Sequence, residues 1–124
     1  MRKNRQLIVM AACAILCATS IVVLRASTPV LYTTQDVYCG LYAPGWGIYG
    51  TDADPLEDVE YIEYRWNGSQ WVVSWGPAVV TYAIEDGTFA WYTHGPDNYG
   101  FYYAKVTVNG QTSNEAHFYV SSSC

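Results

Sequence analysis

The stretch FYYAKVTVNGQTSNEAHFYV, Phe101 to Val120, decides the fold. On one side of Asn109-Gly110, Tyr102, Ala104, Val106 and Val108 share one phase, against Phe101, Tyr103, Lys105 and Thr107. On the other side, Ala116, Phe118 and Val120 oppose His117 and Tyr119. Successive side chains of a strand point to opposite faces, so the first-named sets predict core faces. Asn-Gly tolerates positive φ at both positions, which predicts a tight turn pairing 101–108 with 111–121.

The same pattern continues outward. Val59 to Trp66 runs into Asn67-Gly68 and should pair with 70–75. Here Ile62, Tyr64 and Trp66 form the expected core phase, and Tyr61, Glu63 and Arg65 the outward one. Further turn signals stand at Ala43-Pro-Gly45, Asp54-Pro55, Gly76-Pro77, Asp86-Gly87 and Gly95-Pro-Asp97. Between them lie short runs rich in Val, Ile, Thr and aromatic residues, with no sustained helical period. Short strands at this spacing predict an all-β sandwich or barrel.

Two unlike parts make up the 124 residues, which allow a single globular domain. Four of the six basic residues (Arg2, Lys3, Arg5, Arg25) and the apolar run Leu7 to Leu24 precede Ser27. All 11 acids and every aromatic residue follow it, leaving residues 27–124 with only Arg65 and Lys105 and a net charge of 2 − 11 = −9. Nucleic acid is thereby disfavoured as a partner, because phosphate contacts need clustered Lys and Arg. Adsorption to anionic lipid is disfavoured for the same reason.

A basic start, an apolar run and a polar Arg25-Ala-Ser-Thr-Pro29 have the layout of an export signal. As a hydrophobic helix the run spans roughly 27 Å, enough for an uncleaved anchor. Residues 1–26 are therefore read as a signal peptide or membrane anchor, and 27–124 as the exported domain, secreted or tethered outside the membrane through the N-terminal segment alone. Met10-Ala-Ala-Cys13 resembles a lipobox imperfectly, and Cys13 and Cys17 read more simply as small apolar residues of the leader. In the exported part Cys39 and Cys124 form an even pair, expected to be a disulfide. The alternative is two unrelated thiols, one of them pairing with another chain.

Asn98-Tyr-Gly-Phe-Tyr-Tyr-Ala104 resembles the tyrosine-corner motif of immunoglobulin-like β-sandwiches, with Gly100 and Tyr102 in register and Asn98 in place of the usual Asp. The spacing from Ile62 through Trp71 to Asp97-Asn98 is similar to that of bacterial surface immunoglobulin-like modules. The resemblance covers roughly residues 30–121. It implies an antiparallel immunoglobulin-like sandwich in which the Tyr102 hydroxyl bonds nearby backbone and Trp66 is the central core tryptophan. Ala104 stands where that family carries its F-strand Cys, so the antibody-type inter-sheet disulfide is absent.

The outward face of the predicted C, F and G strands collects Tyr61, Glu63, Arg65, Phe101, Tyr103, Lys105, His117 and Tyr119. Aromatics with a few charges are the composition of binding hot spots. The expected function is non-enzymatic recognition or adhesion of a protein or glycan outside the cell, with Tyr61, Tyr103 and Tyr119 as anchors and Arg65 and Lys105 setting orientation. The alternatives are a structural subunit of a filament or coat, self-associating by strand donation, and a carbohydrate-binding module with Trp46 as a solvent-facing platform. Asp52, Asp54, Glu57 and Asp58 offer oxygen ligands for calcium without the EF-hand spacing, and no metal or cofactor is predicted. His94 and His117 are the only imidazoles, and no nucleophile-elbow or Cys-His spacing occurs, so no enzyme is predicted. Asn67-Gly-Ser69 is a glycosylation sequon at an expected hairpin tip.

Overall fold

The computed structural model describes residues 27–124; the leader, with its cleavage, lipidation and anchoring alternatives, lies outside the described residues. Among the described residues every regular element is a strand. The order is β1 Val30–Thr33, β2 Val37–Cys39, β3 Trp46–Thr51, β4 Asp58–Trp66, β5 Trp71–Tyr82, β6 Phe89–Thr93, β7 Gly100–Val108, β8 Gln111–Thr112 and β9 Ala116–Ser121. They form two sheets, β1-β3-β6 and β2-β9-β7-β4-β5, with β8 beside β7. The pairing is antiparallel except for β2 on β9, which is parallel.

The expected hairpins form. Val108 pairs with Gln111 across Asn109-Gly110, both at positive φ (49° and 80°), which is the backbone a two-residue hairpin loop needs. At the other hairpin Trp66 pairs with Trp71 around a four-residue turn. There Asn67 Oδ1 accepts from the Ser69 and Gln70 amides at 2.8 and 3.0 Å, so the sequon side chain is folded onto its own turn.

Gly76-Pro77 is not the expected turn. It sits inside β5, which runs unbroken to Tyr82. Between Tyr61↔Ala78 and Glu63↔Trp75 the ladder shifts register, and this bulge absorbs the Pro without a paired N–H. Gly76 has φ +87°, and a Cβ there would stand 2.5 Å from the Tyr61 carbonyl oxygen, so only glycine fits.

The first chain segment changes sheet between β1 and β2. The Tyr38 hydroxyl pins that crossover, accepting from the Gln35 amide at 2.9 Å and lying 2.6 Å from Thr34 Oγ1. Asn114 completes the other side of β1: its Oδ1 accepts from Leu31 N (2.8 Å) and its Nδ2 donates to Leu31 O (3.0 Å), replacing a strand partner with an amide side chain.

Between the sheets Leu31, Ile48, Val59, Val106, Val108 and Val120 are fully buried, around a centre of aromatic rings. Tyr102 stacks on Phe118 at 5.0 Å and 5°, and its hydroxyl donates to Asn98 O at 2.7 Å, as the corner motif implies. A disulfide joins Cys39, at the end of β2, to Cys124, with Cα atoms 5.9 Å apart.

The core phases of β7 and β9 are those read from the alternation. That of β4 is the opposite: Val59, Tyr61 and Glu63 face inward, and Ile62, Tyr64 and Trp66 face out. Hydrophobicity favours Ile62, Tyr64 and Trp66 over the phase that holds Glu63 and Arg65, so it does not select the face that turns inward. Register against β7 does, because Tyr61 pairs with Val106, Glu63 with Ala104 and Arg65 with Tyr102, all inward positions of β7. The central core tryptophan is therefore Trp46 (2% exposed), and Trp66 is on the surface (38%). Trp46 contacts Tyr38, Tyr61, Trp91 and Phe118 at ring distances of 5.6–6.5 Å.

Candidate recognition surface

The outer face of the six-stranded sheet gathers Tyr64 and Trp66 from β4, Trp71 from β5, Phe101, Tyr103 and Lys105 from β7, and His117 and Tyr119 from β9. Register brings them together: Tyr64 lies opposite Tyr103, Tyr103 opposite His117, and Phe101 opposite Tyr119. Tyr64 stacks on Tyr103 at 4.7 Å, Trp71 meets Tyr103 edge-on at 4.8 Å, and the His117 ring stacks on Tyr103 at 5.3 Å. Phe101 and Tyr119 form a second pair at 4.6 Å. A shallow depression of about 670 Å³ between the groups is lined by Asp36, Trp66, Trp71, Phe101, His117 and Tyr119.

Rings that lock one another in place lose little freedom on meeting a partner, which is the property of a preorganised contact surface. Tyr103 is nearly covered by its neighbours, whereas Phe101 is 59% exposed. Lys105 Nζ stands 5.7 Å from the centre of the Tyr64 ring and 6.0 Å from that of Tyr103, so the only lysine of the described residues is oriented by cation–π contact. His117 Nε2 is 2.9 Å from Glu115 Oε1.

Phe101, Tyr103, Lys105 and Tyr119 thus share the face on which alternation places them. Tyr61, Arg65 and Trp46 do not. Tyr61 is 1% exposed, packed between the sheets, and its hydroxyl donates to Glu63 Oε1 at 2.8 Å. Burial first, and then the Glu63 charge, push the Tyr61 phenol well above its usual range. Arg65 belongs to the inward row of β4 at the open end of the sandwich, where Nε and Nη2 donate to Tyr99 O at 3.2 and 3.1 Å. Trp46 is enclosed in the core at the start of β3, so it is not a solvent-facing platform for a sugar; Gly47 beside it admits the Tyr92 ring and the Trp91 carbonyl.

Tyr64, Trp66 and Trp71 were missing from the expected surface. The signal for them was the pair of tryptophans bracketing the Asn67-Gly68 turn, which must face each other in a hairpin.

In the acidic loop Asp54 accepts from Ser27 N (2.9 Å) and Asn109 Nδ2 (2.7 Å), which lowers its pKa, the Asn109 bond being the larger cause. Among the described residues no three His, Cys, Asp or Glu side chains are grouped as a metal site. No protein-family model matches the chain, and no curated protein matches it in sequence.

Proposed function

We propose that residues 27–124 are an immunoglobulin-like recognition module working outside the membrane by non-covalent contact with a protein partner. The observation that carries this reading is the outer aromatic face of β4, β5, β7 and β9, exposed at Phe101, Trp66 and His117 and oriented around Lys105. The immunoglobulin-like assignment is supported by the strand order, in which β1, β3 and β6 stand as A, B and E opposite β2, β9, β7, β4 and β5 as A′, G, F, C and C′. It is supported also by the Tyr102–Asn98 corner. The disulfide between β2 and the C-terminus suits an oxidising compartment. Lys105 and the ring edges favour a partner surface that is apolar with acidic groups.

The test is adhesion of beads coated with the protein to cells of its own source. Phe101→Ala combined with Tyr119→Ala should abolish binding while leaving the fold unchanged by circular dichroism. Undiminished binding by that variant would refute the assignment of the face.

A second reading, a subunit of a filament or coat, is favoured by β5. This longest strand lies at a sheet edge, carries no charged residue, and exposes Val73, Trp75, Val79 and Tyr82. Large assemblies in light scattering, dissolved by Val73→Lys with Val79→Lys, would favour it; a monomer favours the recognition module.

A further inference from the structure

Beside the edges of β5 and β6 the space between the sheets opens into a cleft of about 440 Å³, lined on one side by Trp75 and Trp91 and floored by Trp46, Tyr61 and Glu63. Trp75 and Trp91 come from different sheets and stack at 5.6 Å and 27°. Tyr61 touches both, at ring distances of 5.8 and 5.3 Å. Trp75 is 45% exposed, so the aromatic wall is open to solvent, whereas Glu63 is only 6% exposed at the base. Asp97 and His94 stand at the rim.

Neither carboxylate has a basic partner. The one ion pair among the described residues is His117 with Glu115 on the outer face. Arg65 is engaged by the Tyr99 carbonyl, and Lys105 lies over Tyr64 and Tyr103. A buried carboxylate without a counter-ion is costly to keep, and a neutral ligand would not relieve that cost. A cation would, and the ring faces, Glu63, Asp97 and the net charge of −9 over residues 27–124 all attract one, with His94 the single basic side chain in the lining. The indole faces of Trp75 and Trp91 offer no hydrogen-bond acceptor, Ser74 and Thr93 supply the few hydroxyls of the lining, and Glu63 Oε1 is already taken by the Tyr61 hydroxyl. A weakly hydrated ammonium that needs few hydrogen bonds suits such walls better than a primary amine.

We propose that this cleft binds an alkylated ammonium group of the trimethylammonium type, held against the Trp75–Trp91 wall, with Glu63 as its counter-charge and Asp97 at the mouth. The size is that of a small-molecule site, in a range of about 300–1,000 Å³. The cleft shares no residue with the outer face, so the two readings stand or fall separately.

The test is titration of the full chain, disulfide intact, with choline and in parallel with neohexyl alcohol, its uncharged carbon isostere, followed by the indole N–H resonances in NMR. Choline should shift Trp75 and Trp91 saturably, and the alcohol should bind at least about tenfold more weakly. Glu63→Gln, which keeps an acceptor for the Tyr61 hydroxyl, should weaken choline by about tenfold or more, and so should Trp75→Ala at the exposed wall. No saturable shift by about 10 mM choline in a folded sample would overturn the proposal. Equal binding of the two probes would overturn it as well, as would choline binding unaffected by both substitutions. Saturable binding of methyl glucoside with choline silent would overturn it in favour of a sugar site.

Discussion

Replacing Cys39 and Cys124 together by serine removes a cross-link between residues 85 apart in sequence. In the chain-entropy model a closed loop of that length restrains the unfolded chain by about 15 cal/mol/K, or about 4.5 kcal/mol at room temperature. The folded side loses little. The segment from Val37 to Cys39 remains paired with Tyr119 to Ser121, and the Gly40 amide still donates to Ser121 O at 2.9 Å. The loss therefore falls on the unfolded ensemble. A domain of this size has about 5–15 kcal/mol in all, so the variant should fold, with a Tm lower by about 20 °C. Urea unfolding followed by tryptophan fluorescence provides the check. The midpoint should fall and the m-value should rise, because the unlinked unfolded chain exposes more surface. A loss under about 1 kcal/mol with an unchanged m-value would refute the reasoning, since it would mean that the cross-link does not restrict the unfolded chain.

Trp46→Ala should cost about 3–5 kcal/mol, as removal of a buried ring leaves a cavity; Trp46→Phe should cost less, because the indole N–H has no hydrogen-bond acceptor to lose, and thermal unfolding of the pair checks both. Tyr102→Phe, which deletes the hydroxyl bond to Asn98 O and little else, should cost about 1 kcal/mol in chemical denaturation. Burial raises the Glu63 pKa, opposed by hydrogen bonds from Tyr61 and Ser74. The folded state therefore holds this proton more tightly than the unfolded state. The Glu63 contribution to stability accordingly grows as pH falls from neutral through the folded pKa toward the ordinary glutamate value of 4.5, and is lost as pH rises. Glu63→Gln should then raise Tm at neutral pH, with the advantage shrinking toward that value, and a Tm-against-pH series on both proteins would show the two curves converging.

Much of the surface was legible because β7 and β9 each have one phase of small or apolar residues and one of mixed character, so a period of two suffices. In β4 it does not suffice, because Tyr61 and Tyr64 are equally good on either face. The inward phase also carries Glu63 and Arg65, which look like surface residues until Tyr61, Ser74 and the Tyr99 carbonyl are seen to satisfy them. Gly76-Pro77 misled in the same way. A dipeptide that breaks most strands is accommodated in β5 by a bulge on an edge, a fact about neighbours rather than about the dipeptide.

Local chemistry alone, then, determined the β class, the two hairpins and the Tyr102 corner, each of which depends on residues close in the chain. The Cys39–Cys124 bond was one of two readings of the sequence, and the fold decides it by bringing the two Cα atoms to 5.9 Å. Which face of β4 turned inward, that Trp46 rather than Trp66 occupies the centre, and that Trp75 and Trp91 meet across two sheets were decided only by tertiary structure. The reason is that the apolar balance of a strand's two faces does not by itself choose a side; its register with a neighbour settles which face closes on the opposite sheet.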